Sequence, residues 1–200
     1  MAGARSKPVT LPDPKLEVAT AAAGNEVAVF AGGCFWGVEA VFEHVRGVKS
    51  ATSGYAGGNA LTARYAIVST GRTGHAEAVK VIYDPSQVSY GQLLKVFFSV
   101  AHDPTQLNRQ APDVGTQYRS EIFATSKAQA QAAQAYIRQL DAAKLFAQPI
   151  VTRVEPLDGF HPAEAEHQDF LRLHPRNAYI VYNDAPKLVH LKELFPTLYR

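Results

Sequence analysis

The chain has 200 residues, 46% of them hydrophobic and 19% charged, with a net charge of +2. That balance fits one soluble globular domain with a buried core, and the lack of any run of like charges excludes an electrostatic footprint for nucleic acid or an anionic membrane. No stretch reaches the roughly 18 consecutive apolar residues of a membrane span, and the single cysteine, Cys34, excludes an internal disulfide and favours a reducing compartment, the cytoplasm.

Residues 1–24 read as an extended arm, since Pro8, Pro12 and Pro14 interrupt any apolar run of a signal peptide. Residues 25–200 read as a single domain. Val27 to Phe30 is a short apolar run halted by Gly32 and Gly33, a buried strand ending in a tight turn. Val38, Val41, Phe42 and Val45 then fall on one helical stripe, with Gly47 beyond its end. A weak strand over Val48 to Tyr55 leads into the loop GYAGGNALTARY. In GHAEAVKVIYD, residues His75, Glu77, Val79, Val81 and Tyr83 alternate with Ala76, Ala78, Lys80 and Ile82, the period of a strand.

Ser89 and Gln92 have capping-box spacing and open a helix with Leu93, Phe97 and Val100 on one face, ending at the turn His102-Asp103-Pro104. The following loop, through Thr116, is long for a compact domain, and such loops often carry function. QYRSEIFAT reads as an alternating strand, and Ser126 with Gln129 opens a helix lasting to about Ala143. Ile150 to Glu155 reads as a strand, Ala163 to Leu173 as a helix, and Pro186 to Leu194 as a last helix. This alternation without repeats predicts a two-layer α/β or α+β domain.

The stretch VAVFAGGCFWGVEAVF holds the one cysteine and the one tryptophan, between a strand and a helix. Cys34 could be a buried structural residue, as free cysteines often are. A dinucleotide-binding turn is a poor match: the spacing is not GxGxxG, and Phe35 and Trp36 fill the space that a pyrophosphate needs. Metal ligation is also poor, with one sulfur and seven scattered histidines; Glu164 and His167 have ExxH spacing but no second such pair, which favours a surface helix. A nucleophile remains open, because free N–H groups and the dipole at a helix start can stabilise a thiolate there.

GCFWG, GYAGG, TGHAE, HDP and GTQYRS, in that order, resemble the A-type peptide methionine sulfoxide reductases, with a fainter similarity through AEHQDFL. The resemblance covers most of the chain apart from the N-terminal arm and the C-terminal end. It implies an α+β fold, a two-layer α/β sandwich of ferredoxin-like type with a mixed sheet. It also implies an oxidoreductase that reduces the S epimer of methionine sulfoxide, free or in proteins, as a repair enzyme. By the same resemblance Cys34 is the nucleophile and Glu77 the acid, Phe35 and Trp36 form the pocket for the substrate methyl group, Tyr65 and Tyr118 supply supporting phenols, and Asp113 belongs to the site. The chemistry needs such a set: an S–O bond cannot expel bare oxide, so a proton donor must accompany the attacking sulfur.

His75 shares the strand parity of Glu77, and a Cys/His pair would instead favour an acyl transferase or hydrolase; as part of the family motif it reads as a supporting residue. A module that binds oxidised methionine without turnover is a second alternative. Many members of the family carry further cysteines near the C-terminus, and this chain has none. A sulfenic acid left on Cys34 would therefore need an external thiol, from thioredoxin or glutathione with glutaredoxin. No bound cofactor or metal is expected, and the partners expected are oxidised proteins or free methionine sulfoxide and that thiol donor, with the chain itself a monomer.

Overall fold

A computed structural model describes residues 9–19 and 24–200. Among the described residues, six strands form one mixed sheet: β1 (Glu26–Gly32), β2 (Val48–Ala56), β3 (Ala76–Tyr83), β6 (Ser120–Ala124), β7 (Arg153–Pro156) and β8 (Phe160–Pro162). Their spatial order is β7-β6-β1-β3-β2-β8. All neighbours are antiparallel except β6 and β7, which are joined by α4 (Lys127–Ala142) as a parallel crossover. A separate two-stranded hairpin, β4 (Arg109–Gln110) with β5 (Asp113–Val114), stands inside the long loop after residue 102.

Strand parity divides the core. Phe30, Val79, Val81 and Tyr83 point to the face covered by α1 (Phe35–Glu43) and α3 (Tyr90–Val96), where Phe30 stacks on Phe42 and Phe97 at 5.0 Å each. The other parity, Val29, Ala31, Ala76 and Ala78, forms a thinner cluster of small side chains with Phe123. Burying each large apolar side chain on the helical face contributes roughly 1.5–3 kcal/mol.

The cap at Ser89 forms as a full capping box with Gln92, and α3 runs on into a π-turn over Phe97–Ala101. Ser126 caps α4 through the Gln129 N–H, but the Gln129 side chain turns to Thr125 instead of closing a box. Leu11 in the arm is 2% exposed, and the Tyr136 hydroxyl donates to the Pro12 carbonyl, so residues 9–19 are tied to α4.

Two sequence expectations need correction. Gln117 and Tyr118 lie in a 3-10 turn after Gly115, not in the strand, which begins at Ser120; Gly115 has φ of 147°, a conformation that glycine alone adopts without strain. No single helix spans Ala163 to Leu173. A 3-10 turn over Ala165–His167 is followed by Asp169 at φ 54° and then the one-turn α5 (Phe170–Leu173). The interruption is tertiary: the Gln168 side chain accepts from Ser53 N–H and donates to its carbonyl, and Glu39 Oε2 accepts from Asp169 N–H.

Candidate active site

The β1–α1 turn sets the position of Cys34. Gly33 has φ of 89° and turns the chain off the strand, and Cys34 caps α1 with extended ψ. A side chain at Gly33 would collide with Gln110, whose amide is pinned to the Asp103 backbone, so the loop after residue 102 packs directly against the turn. Cys34 is 9% exposed.

Glu77 comes to the same place from β3. It pairs with Tyr55 across the sheet, on the helical face, and its Oε2 accepts the Phe35 N–H at 3.0 Å. With 2% exposure, burial first and then the charges of Asp113 and Asp184 raise its carboxyl to about 8, against the opposing Phe35 hydrogen bond. Glu77 is thus a protonated acid at neutral pH.

The thiol does not follow the sequence expectation that the helix start would favour a thiolate. The Trp36 N–H does act in that direction, as does Lys187, but burial and then the charges of Glu77 and Asp184 outweigh them and hold Cys34 well above its ordinary value. The resting form is a thiol beside a carboxylic acid.

Tyr65, at the start of α2 (Tyr65–Val68), and Tyr118, in its 3-10 turn, approach from two loops. Burial raises both phenols, followed by Glu77, with Cys34 and Asp113 adding to each. They remain protonated donors next to the acid and the sulfur. Asp113 on β5 accepts a hydrogen bond from the Tyr179 hydroxyl, and burial raises its carboxyl against that bond. Cys34, Phe35, Trp36, Tyr65, Glu77, Asp113 and Tyr118 are all gathered around one turn.

The aromatic wall is built as a stack. Trp36 lies on Phe170 at 3.8 Å with planes 10° apart, meets the edge of Tyr179, and donates from Nε1 to His167 Nδ1 at 3.3 Å. His167 also packs 4.2 Å from Tyr65. Glu164 binds the Tyr65 N–H at 2.9 Å and the Tyr55 hydroxyl at 2.8 Å. The expected surface helix is therefore wrong: Glu164 and His167 bracket the site residues, and their ExxH spacing was the available signal. Tyr179, Asp184 and Lys187 were also missed, with no distinguishing pattern around them.

His75 turns away from Cys34. Its Nδ1 accepts from Gly58 N–H at 3.2 Å and its Nε2 meets the Asn59 carbonyl at 3.0 Å, so both ring nitrogens hold the GYAGG loop. A Cys/His hydrolase pair is not assembled.

Residues 26–197 match the family model for peptide methionine sulfoxide reductase. A peptide methionine sulfoxide reductase of Mesorhizobium japonicum is 64% identical over 90% of this chain and 92% of its own length. Among solved structures, the reduced form of Mxr1 from Saccharomyces cerevisiae is similar with a TM-score of 0.69 and 31% identity, covering 80% of this chain and 91% of that one. Methionine sulfoxide reductase A of Corynebacterium diphtheriae is similar with a TM-score of 0.67 and 36% identity, covering 88% of each chain. The chain belongs to the peptide methionine sulfoxide reductase family, and it is an oxidoreductase that returns oxidised methionine to methionine.

Proposed function

We propose that Cys34 and Glu77 together carry out the reduction, with the S epimer of methionine sulfoxide as substrate, free or in proteins. The observation that carries this reading is the Phe35 N–H bond to Glu77, which fixes a protonated carboxyl one residue from the only sulfur nucleophile. The substrate methyl group lies against Phe35 and Trp36. As the Cys34 sulfur bonds to the sulfoxide sulfur, Glu77 gives its proton to the sulfoxide oxygen, Tyr65 and Tyr118 donate hydrogen bonds to that oxygen, and Glu77 recovers the proton of the thiol. Glu77 then protonates the resulting hydroxyl, the substrate S–O bond breaks and water departs; water adds to the Cys34 sulfur and returns its proton to Glu77, the S–S bond breaks with its electron pair going to methionine, and Cys34 is left as a sulfenic acid. Atoms and charge balance without a further proton.

An external thiol then displaces water from the sulfenic acid, and a second thiol releases Cys34 from the mixed disulfide. Support for this comes from the sulfur count: Cys34 is the one cysteine in the chain. Thioredoxin, or glutathione with glutaredoxin, is the thiol class that meets the need, and a reducing compartment such as the cytoplasm is the setting it implies.

The test is steady-state reduction of each sulfoxide epimer with dithiothreitol, thioredoxin or glutathione/glutaredoxin, by wild type and Cys34→Ser. Turnover of the S epimer alone, lost in Cys34→Ser, is expected. Equal turnover of both epimers, or activity in Cys34→Ser, overturns the reading.

A further inference from the structure

Beyond the residues so far given a chemical role, the segment after residue 178 brings a second group of charges to Cys34. It enters as a π-turn over Ile180–Asp184 and continues as α6 (Ala185–Leu194), packed on α1. Asp184 is 1% exposed; its Oδ1 holds Lys187 Nζ at 3.1 Å, and its Oδ2 is buried without a hydrogen-bond partner. The pair rests on Gly37, in the first turn of α1, three residues after Cys34. A Cβ on Gly37 would lie 2.1 Å from Asp184 Oδ1 and 2.8 Å from Lys187 Nζ. Glycine there admits an ion pair to the same helical turn that Cys34 begins.

The groups facing Cys34 come from every side: Glu77 from β3, Asp113 from β5 through Tyr179 and Glu77, Tyr65 and Tyr118 from their loops, and Asp184 with Lys187 from the C-terminal segment. His102 packs on Gly32, and burial lowers it to about 4, so it brings no charge at neutral pH. Carboxyl groups dominate this set, and among the described residues Lys187 is the cationic side chain acting on the sulfur, against the larger opposing effect of Asp184. Glu77 supplies a proton in the reading above but cannot stabilise a negative sulfur.

We propose that Lys187, held by Asp184 against Gly37, is a positioning residue for the redox cycle of Cys34: its charge lets the buried sulfur exist as a thiolate whenever it must attack or leave. The need arises at both ends of the cycle. The sulfur must become nucleophilic to bond to the sulfoxide. After the external thiol R–SH has turned Cys34–SOH into Cys34–S–S–R and water, a second thiolate attacks the R sulfur, the S–S electron pair passes to Cys34, and the thiolate that leaves is reprotonated. The inference rests on Cys34 being the nucleophile, but its test reads the thiol itself.

The rate of Cys34 alkylation by iodoacetamide, followed by intact mass on the rising limb up to pH 10 without substrate, is compared in wild type, Lys187→Met, Lys187→Gln and Lys187→Arg. Lys187→Met should slow alkylation about tenfold at each pH on the rising limb, the equivalent of about one pH unit, and Lys187→Arg should restore the rate. Lys187→Gln should slow it likewise, because the amide can stay on Asp184 but carries no charge. Repeating the series in Glu77→Gln removes the carboxyl that titrates beside the sulfur. An unchanged alkylation rate in Lys187→Met overturns the proposal, and a raised KM beside that unchanged rate would make Lys187 a substrate contact instead. Should Lys187→Met not fold, an unchanged rate in Lys187→Gln overturns it equally. Activity retained by Cys34→Ser would sink the nucleophile assignment and leave this titration standing, so the two failures are distinguishable.

Discussion

The Phe35 N–H donates to Glu77 Oε2 at 3.0 Å, tying a buried acid on the third strand to the first helical residue after Cys34. The bond needs only an acceptor oxygen, whereas proton donation needs a carboxyl. Glu77→Gln keeps the first and loses the second. Turnover should fall by roughly 10²–10⁴, the usual worth of a positioned general acid, while Cys34 remains open to alkylation. Parallel loss of both in kinetic and alkylation assays would instead give Glu77 a purely structural role.

The raised carboxyl of Glu77 also sets a pH dependence. Burial lifts it from the ordinary carboxylate range to about 8, so the acid-dependent step should decline above pH 8. For stability, a folded-state value above the unfolded one favours the fold fully below the ordinary value and loses that contribution as pH rises through about 8. Burial likewise raises Glu39 and Glu43 to about 7, which acts in the same direction. The melting temperature should fall between pH 5 and pH 9, and Glu77→Gln should flatten the fall; calorimetric scans showing the same slope in both proteins would contradict this.

A single sulfur fixes the stoichiometry without reductant. Mixed with excess methionine sulfoxide, the protein should release one methionine per Cys34 and leave an adduct trappable by a sulfenic-acid reagent. Quantified methionine approaching two equivalents, or no trapped species by mass spectrometry, would reject this half-reaction.

Trp36 is the one tryptophan in the chain, so its fluorescence reports the site alone. His167 accepts its indole N–H and packs on Tyr65, which predicts that His167→Ala loosens both. KM should rise by about tenfold, equivalent to roughly 1.4 kcal/mol, with a smaller change in kcat and an altered emission maximum. Unchanged emission together with an unchanged KM would remove His167 from substrate positioning.

Local signals in the sequence carried the first and third strands, because apolar runs and alternation of period two survive in the folded chain, and the Ser89 and Ser126 caps, because their partners are three residues away. They could not reveal the break at Asp169, which depends on the Ser53 N–H bonding the Gln168 side chain and on Glu39 accepting from the Asp169 N–H, both partners more than a hundred residues earlier. The same distance hid Glu164, His167, Tyr179 and Lys187. Each acts on a residue in the first half of the chain, and neither hydrophobic period nor capping pattern encodes such a pairing. Cys34 and Glu77 were picked out through the family resemblance carried by GCFWG and TGHAE, since position alone left Cys34 open and gave Glu77 no role.

The last feature bears on how the protein is made. Cys34 leaves a ribosome long before the segment from Tyr179 to Lys187 that packs beside it, and synthesis proceeds at about 5–20 residues per second. For several seconds the nascent thiol lacks this cover and meets cellular oxidants as an ordinary exposed cysteine would. Docking of the final helix confines the sulfur to a wall of aromatic rings and acids. Selectivity is therefore acquired late in biogenesis, and a ribosome stalled before residue 179 would display an unguarded thiol.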